Sequence, residues 1–329
     1  MTANRVLAFY VATMIALQIP ASMLLFRWSP NPLSAWSEAR VEERNVQIAT
    51  EEQRPTQVAC FFLTTSKRLD EIRAVQEGWA KNCWKVVIFS DQSAPGGVVN
   101  MADIIHNDYK DDHTFFQPGN ETRDLLSLKS WHAWRYMAQR YLNAENSSVD
   151  FVMKADGDTF VIWDNYIKYI TEEFRPDCQA YIGRAYRTRE GPFVTGGTVT
   201  VSRQTLRFLN AELLKDELAS PCGRNLWKAR KAEDVALANC LGRLGIYPAF
   251  TRDSENRELF MNHNPNDHAN TTEEKTESFL RDYQSYSFTS FYQATSPRAC
   301  SFHYVPQEKQ KDSLFYNAEE KIWQWRSGW

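Results

Sequence analysis

From residue 57 onward, short apolar runs alternate with longer segments whose apolar residues recur every three or four positions. The short runs predict buried strands over 57–64 (QVACFFLT), 85–90 (KVVIFS), 149–155 (VDFVMKA), 180–186 (AYIGRAY) and 198–202 (TVTVS). The periodic segments predict helices over 70–83, 124–142, 164–174 with Asp164 as its cap, 203–218 and 231–245. Strands alternating with helices in this way predict an α/β fold, a mostly parallel sheet with helices on both faces. The segment 27–56 is polar and charged without an apolar period and reads as a stem. Beyond residue 305 the chain is aromatic and charged, and no period places it.

One run is of another kind. Val6 to Phe26 carries no charge and is bracketed by Arg5 and Arg27. As a helix it would be about 31 Å long, close to the hydrocarbon thickness of a bilayer. It reads as an uncleaved signal anchor, longer than the apolar part of a signal peptide. A cleaved peptide ending near Ala21-Ser22 is the rival reading. The organisation this implies is a cytoplasmic tail at 1–5, a transmembrane segment at 6–26, a stem at 27–56 and a lumenal domain at 57–329.

Composition changes the picture in two places. The net charge is −3 with both signs well mixed, so no basic face speaks for nucleic acid. Six cysteines, Cys60, Cys83, Cys178, Cys222, Cys240 and Cys300, contain no C-x-x-C pair, which disfavours zinc. Their even number fits disulfides in a lumenal compartment, as do the N-x-[ST] sequons at Asn120, Asn146 and Asn270.

The candidate chemistry begins where the 149–155 strand ends. Asp156 and Asp158 stand one residue apart there, and in open α/β sheets ligands gather outside the carboxyl ends of strands. Two adjacent carboxylates are either a solvated turn or the oxygen ligands of a cation such as Mg²⁺ or Mn²⁺ that also carries substrate phosphates. His303, inside the apolar run CSFHYV, is either a satisfied core residue or a third ligand. Gly196-Gly197 marks a tight turn or a close approach of ligand to backbone. Glu233 and Asp234 open a helix, where carboxylates serve the macrodipole or act as a general base.

Taken together, FVMKADGDTFVIWDN, GPFVTGGTVTVSRQTLRF, AEDVALANCLGRLGI, TRDSENRELF and CSFHYV resemble, in order and spacing, the family 31 glycosyltransferases. CFFLTTSKRLDEIRAVQEGWAKNC and ETRDLLSLKSWHAW are similar to the core 1 β1,3-galactosyltransferase branch. The resemblance spans roughly residues 58–305. It implies a GT-A type nucleotide-sugar transferase fold in a single-pass type II Golgi membrane protein, and allows a homodimer. The implied activity is inverting, Mn²⁺-dependent transfer of galactose from UDP-galactose to the 3-hydroxyl of O-linked GalNAc on a glycoprotein acceptor. Position by position, it makes Asp156, Asp158 and His303 metal ligands and Asp234 the base, with Glu233 beside it. Lys129, Gly196, Gly197, Arg252 and Asp253 fall around the donor. Cys60–Cys83 and Cys222–Cys240 match local disulfides of the family, which leaves Cys178–Cys300 as the expected third pair.

The sequence departs from the family where its acidic triplet is commonly D-D-D, because Gly157 fills the middle. The segment before SFHYV also matches loosely. Two other readings follow: a different family 31 β1,3-glycosyltransferase, or a non-catalytic lumenal homologue of the chaperone kind.

Overall fold

The computed structural model describes residues 54–105, 107–117, 121–142, 149–215, 220, 222–230, 232–265, 295–319 and 322–326. From Thr56 these belong to one compact unit. In chain order it contains β1 (Val58–Leu63), α1 (Leu69–Glu77), β2 (Lys85–Ser90), β3 (Val98–Asn100), α2 (Met101–Ile104), α3 (Leu126–Leu142), β4 (Phe151–Ala155), β5 (Phe160–Val161) and α4 (Trp163–Glu173). There follow β6 (Tyr181–Ile182), β7 (Ala185–Thr188), β8 (Gly191–Val194), β9 (Thr198–Ser202), α5 (Arg203–Leu213), α6 (Arg224–Lys228), α7 (Glu233–Arg243), β10 (Phe260–Met261), β11 (Ser301–Phe302), β12 (Ser313–Asn317) and β13 (Ile322–Arg326).

The main sheet has the order β3-β2-β1-β4-β9-β6. β1 pairs in parallel with both β2 and β4, and β9 runs antiparallel to β4 and β6. The expected α/β fold with a mostly parallel sheet is therefore present. Side chains alternate across a strand, so β1 sends Ala59 and Phe61 into one core cluster and Val58, Cys60 and Phe62 into the other. α3, α5 and α7 cover the first face, and α1 and α4 the second. Burial on both faces explains why these strands read as unbroken apolar runs rather than as alternations. The chain leaves β1 toward β2 on one side, while β4 lies on the other. The carboxyl ends of β1 and β4 thus flank a topological switch point, where α/β sheets open a crevice.

Several boundaries move for physical reasons. The helix predicted over 70–83 stops at Gly78, whose added Cβ would lie 2.3 Å from the Gln310 carbonyl oxygen. The strand predicted over 180–186 divides at Gly183, which has φ +146°. Asp164 lies in the first turn of α4, but Ile162 occupies the cap position and no side chain caps it. The tail beyond 305, unplaced by its pattern, forms the β12–β13 hairpin, with Trp325 edge-on to Phe160 at 5.1 Å.

Disulfides join Cys60 to Cys83 and Cys222 to Cys240. The expected third pair is corrected: Cys178 and Cys300 are free thiols. Cys178 lies exposed after α4, whereas Cys300 is buried at the start of β11. Among the described residues no helix is long and apolar enough to cross a membrane. The predicted anchor at 6–26, nearly all of the stem, and the sequons at Asn120, Asn146 and Asn270 lie outside the described residues.

Candidate active site

β4 ends at Ala155 and the chain turns at once, the Thr159 amide donating to the Asp156 carbonyl. The turn is fastened from two sides. Thr159 Oγ1 donates to the Gly197 carbonyl at 2.7 Å, and the Val305 amide donates to the Asp158 carbonyl at 2.7 Å. β5 then pairs antiparallel with β11, Phe160 opposite Phe302. That register carries the next residue of the last segment, His303, to the acidic turn.

The ligand atoms of Asp156, Asp158 and His303 lie within 4.8 Å of one another. His303 Nε2 is 3.1 Å from Asp158 Oδ1 and 3.4 Å from Asp156 Oδ2, while Nδ1 faces Asn262 Oδ1 at 3.4 Å. Both ring nitrogens thus face acceptor oxygens, which a neutral imidazole cannot satisfy. Burial alone would lower the His303 pKa, but the two carboxylates outweigh it and raise it to about 9. Two oxygens and an imidazole nitrogen are also the donors a divalent cation such as Mn²⁺ accepts, and a bound cation would take the place of the proton. The donor set fits.

Neither Gly196 nor Gly197 needs a positive φ. Close packing explains both. A Cβ on Gly197 would come within 2.8 Å of the His303 ring, and one on Gly196 within 2.8 Å of Glu233 Oε1. At Gly157 a Cβ would meet Ile72 Cδ1 at 2.7 Å and lie 3.8 Å from Glu71 Oε2. The carboxylate beside that position therefore comes from α1, where Glu71 is held by the Arg68 guanidinium at 2.9–3.0 Å. Tyr304 has φ +54° and stacks on the His303 ring, with centroids 4.0 Å apart.

Lys154, on β4, is a site residue the motif reading missed. A charged residue inside an apolar strand was the signal. Its Nζ donates to Asp156 Oδ1 (2.7 Å), Glu233 Oε1 (2.9 Å) and the Gly196 carbonyl (3.0 Å). Burial alone would lower its pKa, yet the two carboxylates raise it, so it stays an ammonium. Asp156 is held well below the usual carboxylate range, because Lys154 and His303 overcome its burial. Asp234 goes the other way. Burial, then the negative charge of Glu233, raises it to about 7, and its Oδ1 accepts from the Val235 amide at 2.8 Å.

A cavity of about 370 Å³ opens over this cluster between the ends of β1 and β4. Asp156, Gly157, Asp158 and His303 form one end, and Thr64, Glu121 and Arg123 line it further along. Lys129 is fully buried behind this wall and donates to Glu121 Oε1 at 2.6 Å and to the Thr64 carbonyl. It braces the lining without reaching the cavity. Gly196, Gly197, Glu233, Asp234, Arg252 and Asp253 are not among the lining residues. Arg252 donates to Glu258 at 2.5 Å and Asp253 receives Arg257 at 2.8 Å, so both are engaged in their own turn.

No family model matches the chain. Two solved structures align weakly, the glycosyltransferase GlyE of Streptococcus pneumoniae TIGR4 and its apo form. They are 11% and 12% identical, with TM-scores of 0.35 and 0.34 over 77% of this chain, which spans 56% and 55% of their lengths. A curated relative, glycoprotein-N-acetylgalactosamine 3-beta-galactosyltransferase 1 of Xenopus laevis, is 25% identical over 311 residues, 92% of this chain and 78% of the relative. The resemblance carried by the motifs thus extends along most of the chain, to a galactosyltransferase, and it supports a glycosyltransferase role.

Proposed function

We propose that the chain is an inverting GT-A type glycosyltransferase that moves galactose from UDP-galactose to the 3-hydroxyl of O-linked GalNAc on glycoproteins. The carrying observation is the cluster of Asp156, Asp158 and His303 lining a cavity at the sheet's switch point. The likeness to a galactosyltransferase over 92% of this chain supports the choice of sugar. In this reading Asp156, Asp158 and His303 would hold Mn²⁺, which would supply positive charge to a diphosphate leaving group. In the same reading the chain is a single-pass type II protein of the Golgi membrane, as the motif resemblance implies.

Transfer forms a bond from the acceptor oxygen to the anomeric carbon as the bond to UDP breaks, and the acceptor proton must leave. Asp234 takes that proton. A carboxylate raised to about 7 is matched to general-base work near neutrality, where an ordinary aspartate is too weak. No acid is needed for a diphosphate already neutralised. A non-catalytic homologue would have no use for a carboxylate so raised beside a complete ligand set.

The test uses the full chain with Mn²⁺ and a GalNAcα-threonine peptide. UDP-galactose, UDP-N-acetylglucosamine and UDP-glucose are supplied separately, with chelated controls, and product is followed by mass. A galactose-sized gain abolished by chelation is expected. Transfer of another sugar would replace the donor assignment. Absence of both transfer and Mn²⁺-dependent UDP binding would refute the enzyme reading.

A further inference from the structure

Resting on that transfer reading, we propose that Lys154 is a positioning residue that fixes the metal-side carboxylate and the base-bearing helix at one separation.

All three ammonium protons are used, on Asp156 Oδ1, Glu233 Oε1 and the Gly196 carbonyl. The acceptors come from three segments: the turn after β4, the Gly-Gly loop and the first residue of α7. One side chain therefore sets the distance between the leaving-group end of the site and the helix that presents Asp234. It also divides the work of Asp156, taking Oδ1 and leaving Oδ2 toward His303 at 3.4 Å. Lys154 is 2% exposed and its three donors are all taken within the protein, so it meets neither substrate. A buried ammonium is costly unless paired, and an apolar residue would fill the same place in β4 without that cost. What an apolar residue cannot do is hold Glu233 and Asp156 together. Displacements of about 1 Å in a reacting pair cost on the order of 100-fold in rate.

The full chain carrying Lys154→Met, Lys154→Arg or Glu233→Gln is compared with wild type. Measured are kcat, KM for UDP-galactose, Mn²⁺ affinity from the paramagnetic resonance of free Mn²⁺, and circular dichroism. Lys154→Met should lower kcat about 100-fold, with KM and Mn²⁺ affinity each changed less than about threefold. Lys154→Arg should restore part of kcat. The Lys154→Met/Glu233→Gln double variant should be no slower than Lys154→Met alone, because the two act as one unit. A kcat within threefold of wild type in Lys154→Met overturns the proposal. So does a parallel loss of kcat, Mn²⁺ affinity and folded signal, the mark of a purely structural lysine. If wild type binds Mn²⁺ but moves no sugar, the transfer reading has failed on its own. Positioning is then read from the broadening that bound Mn²⁺ imposes on the Ala236 and Leu237 amides of α7. Lys154→Met should weaken it, and unchanged broadening overturns the proposal.

Discussion

Replacing Asp234 by Asn should make the protein more stable and inactive at once, and the stability gain should depend on pH. Asp234 is raised from 3.8 to about 7 by burial and by Glu233. Below pH 4 the carboxyl is protonated in folded and unfolded chains alike, and its burial costs nothing extra. Between pH 4 and 7 the unfolded chain gives up the proton and the folded chain keeps it, so stability falls as pH rises. Above 7 the loss is complete, at most about 4 kcal/mol. Partial solvent contact and reorientation of Glu233 reduce this to about 2 kcal/mol, or roughly 4–8 °C in Tm for a domain of this size. Asn keeps the shape and carries no such penalty. Thermal unfolding of both proteins with chelator present, from pH 4 to pH 8, should give curves that nearly coincide at the acid end and separate up to neutrality. Transfer at pH 7.5 should fall at least 100-fold in the variant. A Tm difference that ignores pH, or a wild type more stable than Asp234→Asn at pH 8, would refute the argument that this carboxylate is held poised.

Three further outcomes are expected. His303→Ala should remove metal-dependent turnover and weaken Mn²⁺ binding at least tenfold, with unchanged circular dichroism; retained binding would take the imidazole out of the ligand set. Gly197→Ala should drive the His303 ring from its place, lowering Mn²⁺ affinity and costing about 1–3 kcal/mol in thermal stability. Cys178 should react with a thiol reagent in the native protein while Cys300 reacts only after unfolding; equal rates would contradict their different burial.

The strands that face two cores were legible because both faces are apolar, and the acidic pair was legible because a strand end concentrates ligands. The cavity wall was not. Glu71, Glu121 and Arg123 reach the site from segments whose local pattern says only that they are polar or half-buried. Lys129, which the resemblance sets around the donor, is turned inward by tertiary packing onto Glu121 and Thr64, a contact that no local pattern shows. The two glycines were legible, but the packing that requires them was not: the volume of Glu233 and His303 leaves no room for a Cβ at either. The β12–β13 hairpin was invisible because its stability comes from contacts with Phe160 and Phe302 rather than from its own alternation.

The pairing of β5 with β11 has a consequence for the order of events in the life of the chain. Asp156 and Asp158 are made near the middle of the sequence and His303 near its end. A nascent chain lacking its last segment therefore has a half-formed ligand set, and the cluster closes only when β11 docks on β5. Because a cation bound to the completed cluster would favour the docked form, cation and C-terminal segment would hold each other in place. Chelation should be felt first at the end of the polypeptide, and a prematurely terminated chain should be blind to the ion.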